Sequence, residues 1–141
     1  MCLYLTRLQS IPRIATKDII VYKIIAVGKS DVVTPIRMMQ IKSKLIIPED
    51  KENLTLKDCF KIFLNKEVNG KFIHAFRKFN TPPPGWVYGL YKYMIYCVKC
   101  IIPKGTIYYK NDDGIASRKL EIIDTNFLSL CNFEETLSVL E

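Results

Sequence analysis

The apolar positions of the chain fall into runs of two different periods. DIIVYKIIAV, Asp18 to Val27, is nearly continuous in β-branched and aromatic residues and stops at Gly28-Lys29-Ser30-Asp31, which predicts a buried strand closed by a turn. In the VVTPIRMMQIKSKLII that follows, Pro35 has no amide to give to a ladder. That stretch predicts an edge strand, or a loop that resumes as a strand near Lys42 to Ile47. Pro48-Glu49-Asp50 breaks the pattern and the period changes. LTLKDCFKIFLN sets Leu56, Cys59, Phe60, Phe63 and Leu64 at helical spacing, and Thr55 with Asp58 three residues on forms a capping-box start. A helix is expected over about 56 to 65, with that apolar face packed on a sheet.

FIHAF, Phe72 to Phe76, predicts a short strand or an extended entry to a site. The three prolines and glycine of NTPPPGW then enforce a stiff loop. WVYGLYKY fits helix or strand. YCVKCII predicts a strand, Pro103-Lys104-Gly105 a turn, TIYY a second short strand, and NDDG at Asn111 to Gly114 a hairpin turn before SRKLEII. In the tail, Asn132 and Glu135 suit the first turn of a helix whose apolar side holds Phe133, Leu137 and Leu140. The pattern gives an α+β fold class. The expected architecture is a single compact domain over 1–124, a mixed or antiparallel sheet with one or two packed helices, followed by a C-terminal helical extension over 125–141.

The 141 residues fit one domain, large enough to bury about 65–70% of the surface of the unfolded chain without help from a metal or disulfide. A hydrophobic fraction of 49% against 25% charged argues against general disorder. Lys, Pro or Asp interrupts every apolar run before the roughly 20 residues of a membrane span, so no membrane partner is expected. The start, MCLYLTRLQSIPRIATKD, has no long apolar core with a small-residue cleavage site, which speaks against secretion. Cys2, Cys59, Cys97, Cys100 and Cys131 are odd in number and irregular in spacing, as suits reduced thiols inside a cell.

The net charge of +7 is uneven: +6 over 1–48, −1 over 49–70, +7 over 71–110 and −5 over 111–141. Residues 71–110 hold no acid and ten aromatic side chains, Trp86, Tyr88 and Tyr91 among them. Such a mixture can stack bases and neutralise phosphates, or it can be a core of aromatics with solvated lysines at strand edges.

The most specific chemical lead, the CxxC of Cys97 and Cys100, dissolves on inspection. Positions three apart on a strand point to opposite faces, so the two thiols can neither share a metal nor pair easily. A second knuckle is missing, and His74 is the one histidine of the chain. No metal or cofactor is expected. His74, flanked by Phe72, Ile73, Ala75 and Phe76, reads first as a hydrogen-bonded structural residue and second as an acid or base. No GxSxG, P-loop, GxGxxG or HExxH stretch occurs, which disfavours a familiar hydrolase or nucleotide-binding enzyme.

Several phrases together carry a resemblance: MCLYL, IATKDIIVYKII, TPIR, FIHAF, VKCIIPKGTIYY and GIASRKLEII. They resemble a family of small uncharacterised proteins encoded by Bacteroidales-type gut bacteria and by their phages and mobile elements, in blocks spread over residues 1 to 123. The chain departs from that pattern at 77–92, where NTPPPGW replaces a polar helix, and beyond 124. The resemblance implies a bacterial cytoplasmic setting, with association to a virion as the other location, and no activity. A second likeness is to ADP-ribosyltransferase-like folds, which hold NAD with an early Arg or His and activate the ribose with a late Glu. It rests on Tyr22-Lys23 in an early strand and a late IPKGT strand, and implies those roles for Lys23 and Glu121. Lys23 departs from the usual Arg or His, no Ser-Thr-Ser strand is present, and Glu121 lacks a Glu-x-Glu context.

The leading expectation is a non-enzymatic accessory protein that binds a host or virion protein through Arg77, Lys78, Trp86, Tyr88 and Tyr91, since Trp, Tyr and Arg dominate contact energies. The alternatives are a nucleic-acid-binding protein using 71–110 and an enzyme centred on His74, Tyr22 and Glu121.

Overall fold

The computed structural model describes residues 3–29, 31–34, 39–48, 54–68, 71–79 and 93–130. Pro35, Glu49, Asp50, the NTPPPGW loop beyond Phe79, Trp86, Tyr88, Tyr91, Cys2, Cys131 and the helix expected around Asn132 to Leu140 lie outside these residues.

The described chain is α+β and its sheet is antiparallel throughout. In order it forms β1 (Leu3–Tyr4), a 3-10 turn (Leu8–Ser10), β2 (Arg13–Ile14), β3 (Ile19–Val27), β4 (Val32–Val33) and β5 (Leu45–Ile46). Then come α1 (Leu56–Asn65), β6 (Glu67–Val68), β7 (Ile73–Phe76), β8 (Met94–Ile102), β9 (Ile107–Lys110), β10 (Gly114–Ser117), β11 (Leu120–Ile122) and α2 (Thr125–Leu130). The main sheet runs β2-β9-β10-β7-β3-β8-β11-β5, with β4 added to the end of β3, and β1 with β6 forms a separate ribbon.

The spine is β3 against β8, nine pairs from Ile19↔Ile102 to Val27↔Met94. Both strands are rich in Ile, Val and Tyr, the residues that fit a pleated, half-buried surface. Paired residues share a face, so this register sorts the side chains. One face carries Val21, Ile25, Val98, Cys100 and Ile102, which join Ile73, Ile115, Tyr108, Leu120, Ile122 and Ile46 in the main core. Phe127 of α2 is buried in the same core, its ring edge-on to Tyr96 at 5.9 Å. On the other face the β9–β10 end lies under α1 and the β1–β6 ribbon, where Leu3, Leu5, Ile62, Val68, Phe72, Tyr109 and Ala116 form a second core.

The turns follow their residues. The Gly28 amide donates to the Asp31 carbonyl at 2.8 Å, closing the turn after β3. A Cβ on Gly28 would come within 2.8 Å of the Tyr93 ring and 2.7 Å of Asp31 Oδ1, so a larger residue there would have to push both side chains aside. Asn111 Oδ1 accepts from the amides of Asp113 and Gly114, and NDDG joins β9 to β10 as a hairpin.

The structure corrects one expectation about packing. The helix occupies the predicted span, but the face of Leu56, Phe60, Phe63 and Leu64 does not pack on the sheet. Its buried residue is Ile62, which sits in the second core. The apolar arc of α1 runs from Ile62 through Cys59, Phe63, Leu56 and Phe60 to Leu64, roughly 200° of the helix at 100° per residue. One flank of so wide an arc meets the domain and the rest faces water.

Candidate binding surfaces

The first surface is built on α1, whose ends are fixed by its own sequence. Asp58 donates its amide to Thr55 Oγ1 at 3.2 Å, and Asp58 Oδ2 accepts from the Thr55 amide at 3.1 Å, a reciprocal capping box. At the other end Lys66 adopts the left-handed conformation, φ 54°, and its amide donates to the Ile62 carbonyl. Asp58 Oδ1 also accepts from Lys71 Nζ at 2.8 Å, tying the helix to the residues before β7. The Lys71 ammonium, followed by the Thr55 amide and hydroxyl, holds the Asp58 carboxyl well below the usual carboxylate range.

With the domain side of α1 occupied by Asp58, Cys59 and Ile62, the remaining side chains project outward. Leu56 is 89% exposed, Phe60 61%, Leu64 60% and Phe63 38%, and the four share one side of the helix. Lys57 and Lys61 border this strip beside Leu64, and neither makes an ion pair with another described residue. A rigid, capped helix therefore presents an aromatic and aliphatic strip with a cationic margin. The sequence reading missed it because apolar residues at helical spacing were assigned to the core. The available signal was the width of the arc.

The second surface lies on the sheet face opposite the main core, around Tyr22. Tyr22 stands in register with Phe76 on β7 and with Lys99 on β8. Its ring meets that of Phe79 edge-to-face, centroids 6.0 Å apart and planes at 85°. Phe79 is 65% exposed, and Lys78, Arg77 and Lys99 are exposed around it. One Arg77 nitrogen, Nη1, donates to the Asn111 carbonyl at 3.2 Å, which anchors the guanidinium beside the β9–β10 turn.

The remaining described basic and aromatic residues of 71–110 scatter. Phe72, Tyr108 and Tyr109 are buried, Tyr96 packs on Phe127, and Tyr93 donates to Asp31 Oδ2 at 3.2 Å. Lys71 is paired with Asp58, while Lys104 sits at the turn before β9.

His74, Tyr22 and Glu121 share one face of the sheet but do not converge. Tyr22 and His74 are on adjacent strands, whereas Glu121, in register with Ile101, lies on β11, three strands from His74 in the order β7-β3-β8-β11. Three strand spacings alone amount to about 14 Å. Glu121 faces Lys44 across 3.8 Å instead. Lys23 is on the opposite face from Tyr22 and Glu121, in register with Val98 of the main core. Its ammonium donates to the His74 carbonyl at 2.6 Å. The β3–β7 ladder consists of the single pair Tyr22↔Phe76, so the lysine bonds a carbonyl where the strands part. Burial lowers the Lys23 pKa to about 8.

Cys97 and Cys100 face opposite sides of β8, and desolvation pushes the buried Cys100 thiol up to about 12. Among the described residues no three His, Cys, Asp or Glu side chains gather as a metal site, and no helix is long and apolar enough to cross a membrane. No protein-family model, curated protein or solved structure matches the chain.

Proposed function

We propose that the protein is a non-enzymatic binding module that docks a protein partner through the outer side of α1. The observation that carries this reading is the exposure of Leu56, Phe60 and Leu64 together on one capped helix. A contiguous apolar strip on one side of a helix is a recurring form of protein-recognition surface. Lys57 and Lys61 at its margin favour a partner whose apolar groove is rimmed by carboxylates, since complementary charge steers encounter and fixes register. The resemblance to phage and mobile-element proteins points to a host or virion protein as that partner. The separation of His74 from Glu121, and of Lys23 from both Tyr22 and Glu121, speaks for binding over an ADP-ribosyltransferase-like reaction.

The test is co-purification from the native host with nuclease present, comparing wild type with the double variant Phe60→Ser/Leu64→Ser. A stoichiometric protein should be retained by the wild type and lost from the variant, and Lys57→Glu/Lys61→Glu should weaken it. An unchanged partner yield from both variants would sink the reading, and self-association measured by light scattering would replace the partner with a second copy.

A second reading is supported by Phe79 beside Tyr22, with Arg77, Lys78 and Lys99 around them: single-stranded nucleic acid stacked on Phe79. It requires affinity that falls steeply with salt and drops on Phe79→Ala; salt-independent binding would count against it.

A further inference from the structure

The main sheet ends in β5 on one side and β2 on the other, and the two edges are finished differently. On β5 the Lys44 carbonyl accepts from the Ile122 amide at 2.8 Å, so Lys44 and Ile46 turn their backbone toward β11 and Leu45 turns its amide and carbonyl outward. Ser43 occupies both groups: its hydroxyl accepts from the Leu45 amide at 3.2 Å and donates to the Leu45 carbonyl at 3.0 Å. That edge is closed to a further strand. On β2 the Ala15 amide donates to the Thr106 carbonyl at 3.0 Å, and the Ala15 carbonyl accepts from the Gly105 amide at 2.7 Å. Alternation then turns the backbone of Arg13 toward β9 and the amide and carbonyl of Ile14 away from the sheet. Among the described residues none pairs with this outer edge, and Ile14 is 64% exposed. The charge around it has one sign. Arg7, Arg13 and Lys17 are exposed, residues 1–17 hold no acid, and Asp18 accepts from the Lys104 amide at 2.9 Å. A second copy would set these cations against their equals, and Pro12, without an amide, shortens the run open to self-pairing.

We propose that the outer edge of β2 takes one antiparallel strand from a partner, an extended segment in which acidic and β-branched apolar residues alternate. The partner residue opposite Ile14 exchanges two backbone hydrogen bonds with it, and its side chain falls beside that of Ile14, on the face of Ile107 and the second core. The neighbouring partner residue turns to the other face, where Arg13 stands in register with Tyr108 and a carboxylate meets the guanidinium. The alternation of the segment follows from the alternation of Arg13 and Ile14 across the sheet. The contact is main-chain and uses no residue of α1, so it stands apart from the docking proposed for Phe60 and Leu64.

The experiment titrates the full chain with the capped peptide Glu-Val-Glu-Val-Glu-Val, with Lys-Val-Lys-Val-Lys-Val and the block peptide Glu-Glu-Glu-Val-Val-Val as controls, and follows amide hydrogen exchange by NMR. The alternating acidic peptide should bind about tenfold or more tighter than either control and slow exchange at the Ile14 amide. Ile14→Pro deletes the outward amide and no bond to β9, so it should melt within a few degrees of the wild type and lose about tenfold or more in affinity. Arg13→Glu should reverse the preference toward the lysine peptide, and Phe60→Ser/Leu64→Ser should bind the acidic peptide as the wild type does. Absence of binding, equal affinity for the block peptide, unchanged exchange at Ile14, or full binding by Ile14→Pro would each overturn the proposal. Loss of binding in the double variant would do the same by moving the peptide to α1. Protection of the Ile14 amide that grows with protein concentration, no peptide being present, would give the edge to a second copy and overturn the acidic occupant. Should Ile14→Pro not fold, Arg13→Glu decides: a reversed preference supports the proposal, and a retained preference for the glutamate peptide overturns it.

Discussion

Strand β3 and helix α1 are both written plainly in the sequence, yet they treat their apolar residues in opposite ways. In β3 the apolar side chains Ile24, Ile25 and Ala26 are buried whichever face they take. In α1, Leu56, Phe60 and Leu64 share one side and are exposed. The difference lies in what surrounds each element. Neighbouring strands pair with β3 along both edges, by β8 over its whole length and by β7 and β4 over parts of it. Helix α1 touches the domain along the flank of Ile62, and the second core is completed by Leu3, Leu5 and Val68 without the helix's other apolar residues. Periodicity fixes which residues share a face, and the remainder of the chain decides what that face meets.

The strongest way to break the comparison is a substitution at its buried end. Ile25→Ala removes a fully buried side chain from the main core and should cost about 2–5 kcal/mol, transfer and cavity contributions together. Urea denaturation measures it, and a cost no larger than that of a surface substitution would mean that the β3 face is not the centre of stability.

Lys23 sharpens the contrast within β3 itself, as a lysine on the core face. Its folded pKa is lowered to about 8, against an intrinsic 10.5, so between those values the unfolded chain binds more protons and stability rises with pH. Cys100, pushed up to about 12 from 9, acts in the opposite sense above about pH 9, because its unfolded thiol ionises first. The clean window is therefore about pH 8 to 9. Across it the wild type should gain on the order of 1 kcal/mol relative to Lys23→Met, read from urea midpoints at pH 7, 8 and 9. A difference that does not change with pH would place the ammonium in water.

What could be read in advance divides along the same line. The span of α1, its Thr55–Asp58 cap, β3, the β8 run, the opposed Cys97 and Cys100, and the NDDG hairpin depend on residues within a few positions of one another, and the chain states them locally. Strand order, the burial of Ile62, the place of Phe127 in the core, the reach of Lys23 to the His74 carbonyl and the distance from His74 to Glu121 depend on pairings across tens of residues. No local pattern encodes these. A sequence reading that groups His74, Tyr22 and Glu121 by chemistry has no register with which to separate them. The outer strip of α1 was legible as amphipathic and was misread, because helical spacing identifies an apolar side without saying whether the fold needs it.

The capping box gives a smaller effect. Thr55→Ala removes the acceptor of the Asp58 amide and the donor to its carboxylate, and should cost about 1 kcal/mol by thermal or chemical denaturation. It should also weaken partner binding, since the strip is presented by an ordered helix. A loss of stability with full retention of binding would mean that the partner orders α1 on contact.

The smallest effect on stability is expected where the effect on function is largest. Phe60 is 61% exposed and lies on the side of α1 away from Ile62, so Phe60→Ser removes a ring that is already mostly in water. Its cost to folding should fall within about 0.5 kcal/mol, the usual range for a surface substitution. A Phe at the same position in a core would cost about 3–5 kcal/mol on truncation, which makes the two assignments easy to tell apart by a single urea titration. If Phe60 is a docking anchor, the same variant should lose at least tenfold in partner affinity, since a buried aromatic at the centre of an interface is worth upward of 1.4 kcal/mol. A variant with wild-type stability and wild-type binding would leave the exposed strip without a role, whereas a large loss of stability would return Phe60 to the core and remove the argument for α1 as the binding element.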